Sequence, residues 1–177
     1  MQEVGFSLYT DMLKQAVRAL QQGKEPDLDQ PLGIHTEIHL AAPALLPEDY
    51  CPDVHERLVL YKRMACADAE QEIDQLQEEL IDRFGLLPSP VKTLLDSHRL
   101  RLIAHAIGIK KCVATAEGMT LIFDKTTTVE PIKIIQLIQS KRHYKLLGQD
   151  KLKVEVALPD VAMRVVRLKE LLRELVA

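Results

Sequence analysis

Residues 109 to 124 read IKKCVATAEGMTLIFD and are rich in residues that favour β-strands. Two mainly apolar runs, 109–116 and 119–124, flank the pair Glu117-Gly118. A glycine-containing pair between two such runs is typical of a β-hairpin turn. The stretch therefore predicts an antiparallel hairpin in the second half of the chain.

The sequence after this hairpin predicts a second hairpin between two helices. Pro131 begins a helix that runs to Ser140, and the runs 144–147 and 152–158 surround Gly148. A final helix follows Pro159-Asp160, and its apolar residues step by four, three, four and three. We expect this helix to pack inside the molecule rather than to dimerise, because Leu171 widens its apolar stripe.

Helices dominate the sequence before residue 109. Asp53 is a suitable N-cap for one helix, whose buried side is predicted to carry Leu58, Tyr61 and Ala65. Two more helices are predicted over residues 68–84 and 89–107, each ended by a glycine. The predicted fold class is α+β, with a helical N-terminal half followed by a ββαββα-like segment and a small, mostly antiparallel sheet.

Proline and glycine divide the first fifty residues. Residues 1–23 are predicted to form an N-terminal helical arm, because Phe6, Tyr9, Leu13, Val17 and Leu20 follow helical spacing. Residues 24–49 are predicted to be a linker with a short strand near 35–40. Residues 50–177 are then predicted to be the α+β domain.

Composition favours a cytoplasmic protein. Its net charge is −3, its apolar fraction is 47% and its three cysteines lack the spacing of a disulfide or zinc framework. No signal peptide or membrane span is expected, and a near-neutral chain gives no general electrostatic reason to bind nucleic acid.

The sequence gives no strong signal for catalysis, a cofactor or a metal. Neither a P-loop nor a GxGxxG motif is present, so this chain is not expected to bind ATP. His35 and His39 would lie roughly 13 Å apart on a strand, too far to share one ion. Asp96, Ser97 and His98 are adjacent on a helix and point about 100° apart, so they cannot align as a catalytic triad.

The helix over residues 68–84 carries a row of acidic and amide side chains. We predict that its partner-binding residues are Glu70, Asp74, Gln77 and Glu78. A plain solvated helix face is the simpler interpretation of the same pattern.

Basic residues suggest an alternative function, an auxiliary nucleic-acid-binding module. One cluster is Lys110-Lys111, with Arg99 and Arg101 nearby, and the other is Lys141-Arg142-His143 with Lys145. Tyr144 is the one aromatic residue interleaved with them, whereas base-binding surfaces normally offer several.

Four segments of the chain form a distinctive set of motifs: QEVGFSLY at residues 2–9, YCPDVHERLVLYKRM at 50–64, ELIDRFGLLP at 79–88 and VKTLL at 91–95. They resemble the C-terminal region of bacterial transcription-repair coupling factors. The resemblance as a whole extends over nearly the entire chain.

The resemblance implies a regulatory, autoinhibitory role within a larger DNA-repair motor. In that family an ATP-dependent DNA translocase displaces stalled RNA polymerase from double-stranded DNA. It then recruits nucleotide excision repair through the damage-recognition ATPase UvrA. The C-terminal domain is expected to be a non-catalytic monomer that docks on the parent's N-terminal module and masks its repair-protein surface. ATP binding and hydrolysis are expected of the motor and not of this domain.

Overall fold

The computed structural model describes residues 36–176, which form five strands and five helices. The strands are β1 (Glu37–His39), β2 (Ile109–Thr115), β3 (Gly118–Phe123), β4 (Tyr144–Leu147) and β5 (Lys151–Glu155). The helices are α1 (Val54–Cys66), α2 (Glu70–Phe84), α3 (Ser89–Ala106), α4 (Pro131–Ser140) and α5 (Val161–Val176). The predicted arm and the part of the linker before residue 36 lie outside this range, so the predicted domain boundaries stay predictions.

The strands form one mixed sheet in the order β1-β2-β3-β5-β4. β1 pairs with β2 in parallel, and the other three pairs are antiparallel. The predicted α+β fold is confirmed. In the first hairpin Thr115 pairs with Gly118, so the turn residues are Ala116 and Glu117, one position earlier than predicted. A Cβ atom on Gly118 would lie 2.2 Å from the carbonyl oxygen of Val154, which explains why glycine begins β3.

Two hydrophobic cores share the helix α3. One core contains the sheet, α5 and the second half of α3, including Leu100 and Ala104. The other contains α1, α2 and the first half of α3, including Val91 and Leu95. As predicted, α5 packs internally through four buried leucines. These are Leu168, Leu171, Leu172 and Leu175.

The buried side of α1 matches the prediction only in part. Asp53 caps the helix as expected, and its side chain accepts a hydrogen bond from the backbone N–H of His55 at 2.8 Å. Tyr61 packs partly buried against the core, as predicted, but the fully buried residues are Leu60 and Met64, and Leu58 is 47% exposed. Apolar residues occur on several sides of this helix, so their spacing alone did not identify the face that contacts α2 and α3.

Arg164 is a buried cation on α5 that joins distant parts of the chain. It is 7% exposed, and its Nε and Nη1 atoms donate to the carbonyl oxygens of Leu158 and Leu40, both at 2.9 Å. Nη2 donates to the carbonyl of Pro159 at 3.3 Å. The guanidinium therefore fixes the end of β1 and the start of α5 in one place, and it supplies donors to carbonyls that the fold shields from water.

We predict that Arg164→Met lowers the free energy of unfolding by about 2–4 kcal/mol, because two buried carbonyl oxygens lose charged donors. Arg167→Met on the same helix is the matched control. Arg167 contacts Glu170 at the surface, so its loss should cost under about 0.5 kcal/mol. Urea unfolding of both variants checks the prediction, and equal midpoints for the two would contradict it.

Candidate interaction site

The outward face of α2 carries the four predicted partner-binding residues. Burial of Ile73, Leu76 and Leu80 fixes the rotation of the helix. The helical repeat then places Glu70, Asp74, Gln77 and Glu78 on another side, and we call these four residues the α2 face. The structure therefore brings all four into one stripe, as the spacing predicted.

Arg99 on α3 lies beneath the centre of the α2 face. Its side chain is 15% exposed, while that of Asp74 is 60% exposed. Nη2 of Arg99 donates to Oδ1 of Asp74 at 2.9 Å and to Oε1 of Gln77 at 2.7 Å, and Nη1 donates to Oδ1 of Asp96 at 3.2 Å. A guanidinium has donors only, so it holds the Gln77 oxygen inward and leaves the amide NH2 group as a donor for another molecule.

The two ends of the α2 face differ. At the first turn, Glu70 accepts a 3.0 Å hydrogen bond from Nζ of Lys169 on α5. At the other end, Glu78 is exposed, and within residues 36–176 it forms no ion pair. The neighbouring Glu79 turns toward α1 and pairs with Arg63. The carboxylates most available to a cationic partner are therefore those of Asp74 and Glu78.

Arg99 and Lys169 are the residues of this site that sequence reasoning missed. The sequence showed Arg99 as a member of a basic cluster with Lys110, but the structure commits its guanidinium to acceptors on α2 and α3. The i,i+3 pair of Asp96 and Arg99 was the available local signal. Nothing local connects Lys169 with Glu70, which lie 99 residues apart.

Two other residues of the basic clusters, Arg101 and Lys141, are also engaged with neighbours. Arg101 donates to the carbonyl oxygens of Met64 and Ala67, at 3.3 and 3.4 Å. Lys141 pairs with Glu174 at 3.3 Å and lies 5.1 Å from the centre of the Tyr144 ring. These contacts commit Arg101 to backbone carbonyls, and Lys141 to an acidic and an aromatic side chain.

Asp96, Ser97 and His98 have separate partners on α3. The hydroxyl of Ser97 donates to the carbonyl of Thr93 at 2.8 Å, and Asp96 accepts from Arg99. His98 accepts from Nε of Arg101 at 3.3 Å. Burial, with the Arg101 charge beside it, lowers the pKa of His98 from 6.5 to about 3. The imidazole is therefore neutral near pH 7 and serves as an acceptor for Arg101.

In the described part of the chain, no three His, Cys, Asp or Glu side chains are grouped as a metal site requires. No helix in residues 36–176 is long and apolar enough to cross a membrane.

The protein is an α+β domain with a charged helix, α2, on its surface. The side chain of Arg99 lies beneath this helix and donates hydrogen bonds to Asp74 and Gln77. A family model described as the TRCF domain matches residues 40–134, more than half of the chain. The chain belongs to the TRCF domain family.

Curated relatives agree with this assignment. The transcription-repair-coupling factor of Escherichia coli (strain K12) is 43% identical over 176 residues, and that of Haemophilus influenzae (strain ATCC 51907 / DSM 11121 / KW20 / Rd) is 41% identical over 177. Each alignment covers 99% of this chain, which spans 15% of either relative. A solved structure, the C-terminal domain of transcription-repair coupling factor, has the same fold. Its TM-score is 0.64 at 24% identity, over 79% of this chain and 92% of that one.

We predict that His98 makes stability fall as the pH is lowered. The unfolded chain binds a proton at His98 below its ordinary pKa of 6.5, whereas the folded chain does so near pH 3. Between these values the unfolded state holds more protons, so acidification lowers the free energy of unfolding by up to about 1.4 kcal/mol per pH unit.

His98→Gln should make the slope between pH 6 and 4.5 shallower by about one proton, since glutamine still accepts from Arg101 but does not titrate. His105→Gln is the control, because His105 is exposed on the same helix. Urea unfolding at a series of pH values measures the slopes, and an unchanged slope in His98→Gln would contradict the assignment.

Proposed function

We propose that this chain is a regulatory, autoinhibitory docking domain of a DNA-repair translocase. It docks through the α2 face on the N-terminal module of its parent protein and masks the surface with which that module binds the excision-repair ATPase. The observation that carries the proposal is the arrangement of Asp74, Gln77 and Glu78 above Arg99. Membership of the TRCF domain family and the names of the relatives support the repair context.

The α2 face suits a reversible contact because its groups are oriented and only partly neutralised. Arg99 engages Oδ1 of Asp74, so Oδ2 remains for a cation on the docking partner. Arg99 is largely buried and held by three acceptors, so the face keeps its shape when the partner leaves. Charge pairs of this kind contribute orientation and salt sensitivity more than affinity. These properties suit a docking contact within one protein that must be able to open.

We propose further that catalysis in the parent belongs to other parts of a longer protein. Two observations support this view: the Ser97 hydroxyl is committed to a backbone carbonyl, and His98 is held neutral as an acceptor for Arg101. ATP binding, movement on double-stranded DNA and displacement of RNA polymerase would then be functions of the motor. The setting of this activity is the bacterial cytoplasm, and the domain itself acts as a monomer.

The double variant Asp74→Lys plus Glu78→Lys should weaken association with the isolated N-terminal module of the parent at least about 100-fold, since two attractive charges become repulsive. Isothermal titration calorimetry at low salt measures this change. Glu48→Lys plus Asp49→Lys is the matched control, because both residues are exposed in the loop before α1 and the change in net charge is the same. Equal losses in the two variants, or full affinity in the first, would contradict the proposal.

A further inference from the structure

The helices of the described range 36–176 pack their apolar side chains on one of the two faces of the sheet. Side chains alternate along each strand, and the inward set, which includes Cys112, Leu121 and Leu152, contacts α3, α4 and α5 in the hydrophobic core. The outward set follows the strand register in two rows. One row is Glu37, Lys111, Ile122, Lys151 and Leu147, and the next is His39, Val113, Thr120, Lys153 and Lys145. We call these ten residues the outer sheet face.

Three lysines lie close together at the β4–β5 edge of the outer sheet face. Lys145 and Lys153 are paired directly across the two strands, an arrangement in which like charges destabilise a sheet. Lys151 lies two residues from Lys153 on the same side of β5, about 7 Å away. This cluster departs from the usual pairing of opposite charges across strands, and such departures are expected at functional sites.

The carboxylates near these lysines neutralise them only in part. Glu155 lies 3.3 Å from Lys145 and 3.9 Å from Lys153, so one negative charge is shared between two cations. Asp150 precedes Lys151 in the hairpin turn, but within residues 36–176 Lys151 forms no ion pair. All seven residues from 145 to 151 are exposed, so the lysine cluster is accessible to another molecule.

The composition of the outer sheet face favours a phosphate backbone over a protein as its partner. Protein–protein interfaces are depleted in lysine and enriched in aromatic residues, methionine and arginine. Four of the ten residues are lysines, and none is Phe, Tyr, Trp, Met or Arg. Lysine binds phosphate as a point charge. Val113 and Ile122 are half-buried at the centre of the face, and lysine stems commonly cover apolar surface of this kind.

The outer sheet face also favours double-stranded over single-stranded nucleic acid. Proteins that bind single strands offer aromatic side chains on which the bases stack, and the ten residues include none. A DNA duplex carries one negative charge per about 1.7 Å of its axis. About four phosphate charges therefore lie within the length that separates Lys151 from Lys153.

The negative net charge of the chain does not oppose such binding, because many of its carboxylates lie elsewhere. Seven acidic residues are found within positions 68–82, on or next to α2. This helix packs in the second hydrophobic core, with α1 and the first half of α3. The sheet separates α3 from the outer sheet face. Exposed charges interact weakly across such a separation, since the Debye length is about 10 Å at 0.1 M salt.

We propose that the β4–β5 edge of the outer sheet face binds the phosphate backbone of double-stranded DNA without reading its sequence. Lys145, Lys151 and Lys153 contact the phosphates, and binding relieves the repulsion between the paired lysines. The α2 face lies on another part of the domain, so docking through α2 leaves this edge accessible. DNA binding is a further function of the domain and does not depend on the docking role.

Fluorescence anisotropy of a labelled 20-base-pair DNA duplex, titrated with the full 177-residue chain, tests the proposal. Three phosphate contacts predict a slope of about −2.7 for the logarithm of the association constant against that of the salt concentration. Affinity should therefore fall about 40-fold between 50 and 200 mM salt. Two duplexes of unrelated sequence should bind equally within about twofold, because phosphate contacts carry no sequence information.

The triple variant Lys145→Gln, Lys151→Gln and Lys153→Gln should weaken binding at least about 30-fold in 50 mM salt and remove most of the salt dependence. The control is Lys62→Gln, Lys92→Gln and Arg173→Gln, at exposed positions of α1, α3 and α5. It changes the net charge equally and should alter affinity less than about twofold. Urea unfolding should show that the lysine variant remains folded, because the substitution removes a repulsive pair.

Three results would overturn the proposal: no binding of the duplex in 50 mM salt, equal losses of affinity in the two triple variants, or tighter binding of a single strand of the same length. Binding of a polyglutamate peptide that requires the three lysines, without binding of the duplex, would assign the surface to an acidic protein instead.

Discussion

The helix α3 is the constraint on which the rest of the domain depends, because both hydrophobic cores use it. Its first half packs with α1 and α2, and its second half packs on the sheet with α5. An α-helix is stiff along its length because its backbone hydrogen bonds resist bending. The two cores are therefore held at a fixed angle, and a displacement of α2 relative to the sheet requires α3 to break its packing at one end.

Arg99 lies between the two halves of α3, and this position explains the form of the α2 face. A largely buried guanidinium needs acceptors on every side, and Asp74, Gln77 and Asp96 supply them. The same contacts orient the groups that α2 presents outward. The buried guanidinium of Arg99 requires hydrogen-bond acceptors, and the side chains that supply them form an ordered charged surface. A reversible docking contact can form on this surface.

Local chemistry explains which features could be predicted from the sequence. The two hairpins, the helix that begins at Pro131 and the internal packing of α5 followed from turn residues and apolar spacing. The parallel pairing of β1 with β2 could not be predicted in this way, because Glu37 and Lys111 are far apart in sequence.

The contacts of Arg164 with Leu40 and of Arg99 with Asp74 could not be predicted either, because the partners are far apart in sequence. They depend on how separate elements meet, as does the buried side of α1, where the spacing misassigned Leu58. For the site, spacing identified the four residues of the α2 face, whereas their cationic neighbours emerged only from the tertiary structure.

Amide hydrogen exchange of the full chain, with and without the parent's N-terminal module, tests the proposed docking most directly. Docking through the α2 face predicts slower exchange over residues 70–82 and unchanged exchange in the hairpin at 109–123. Protection confined to the β4–β5 hairpin, or no protection on α2, would contradict it.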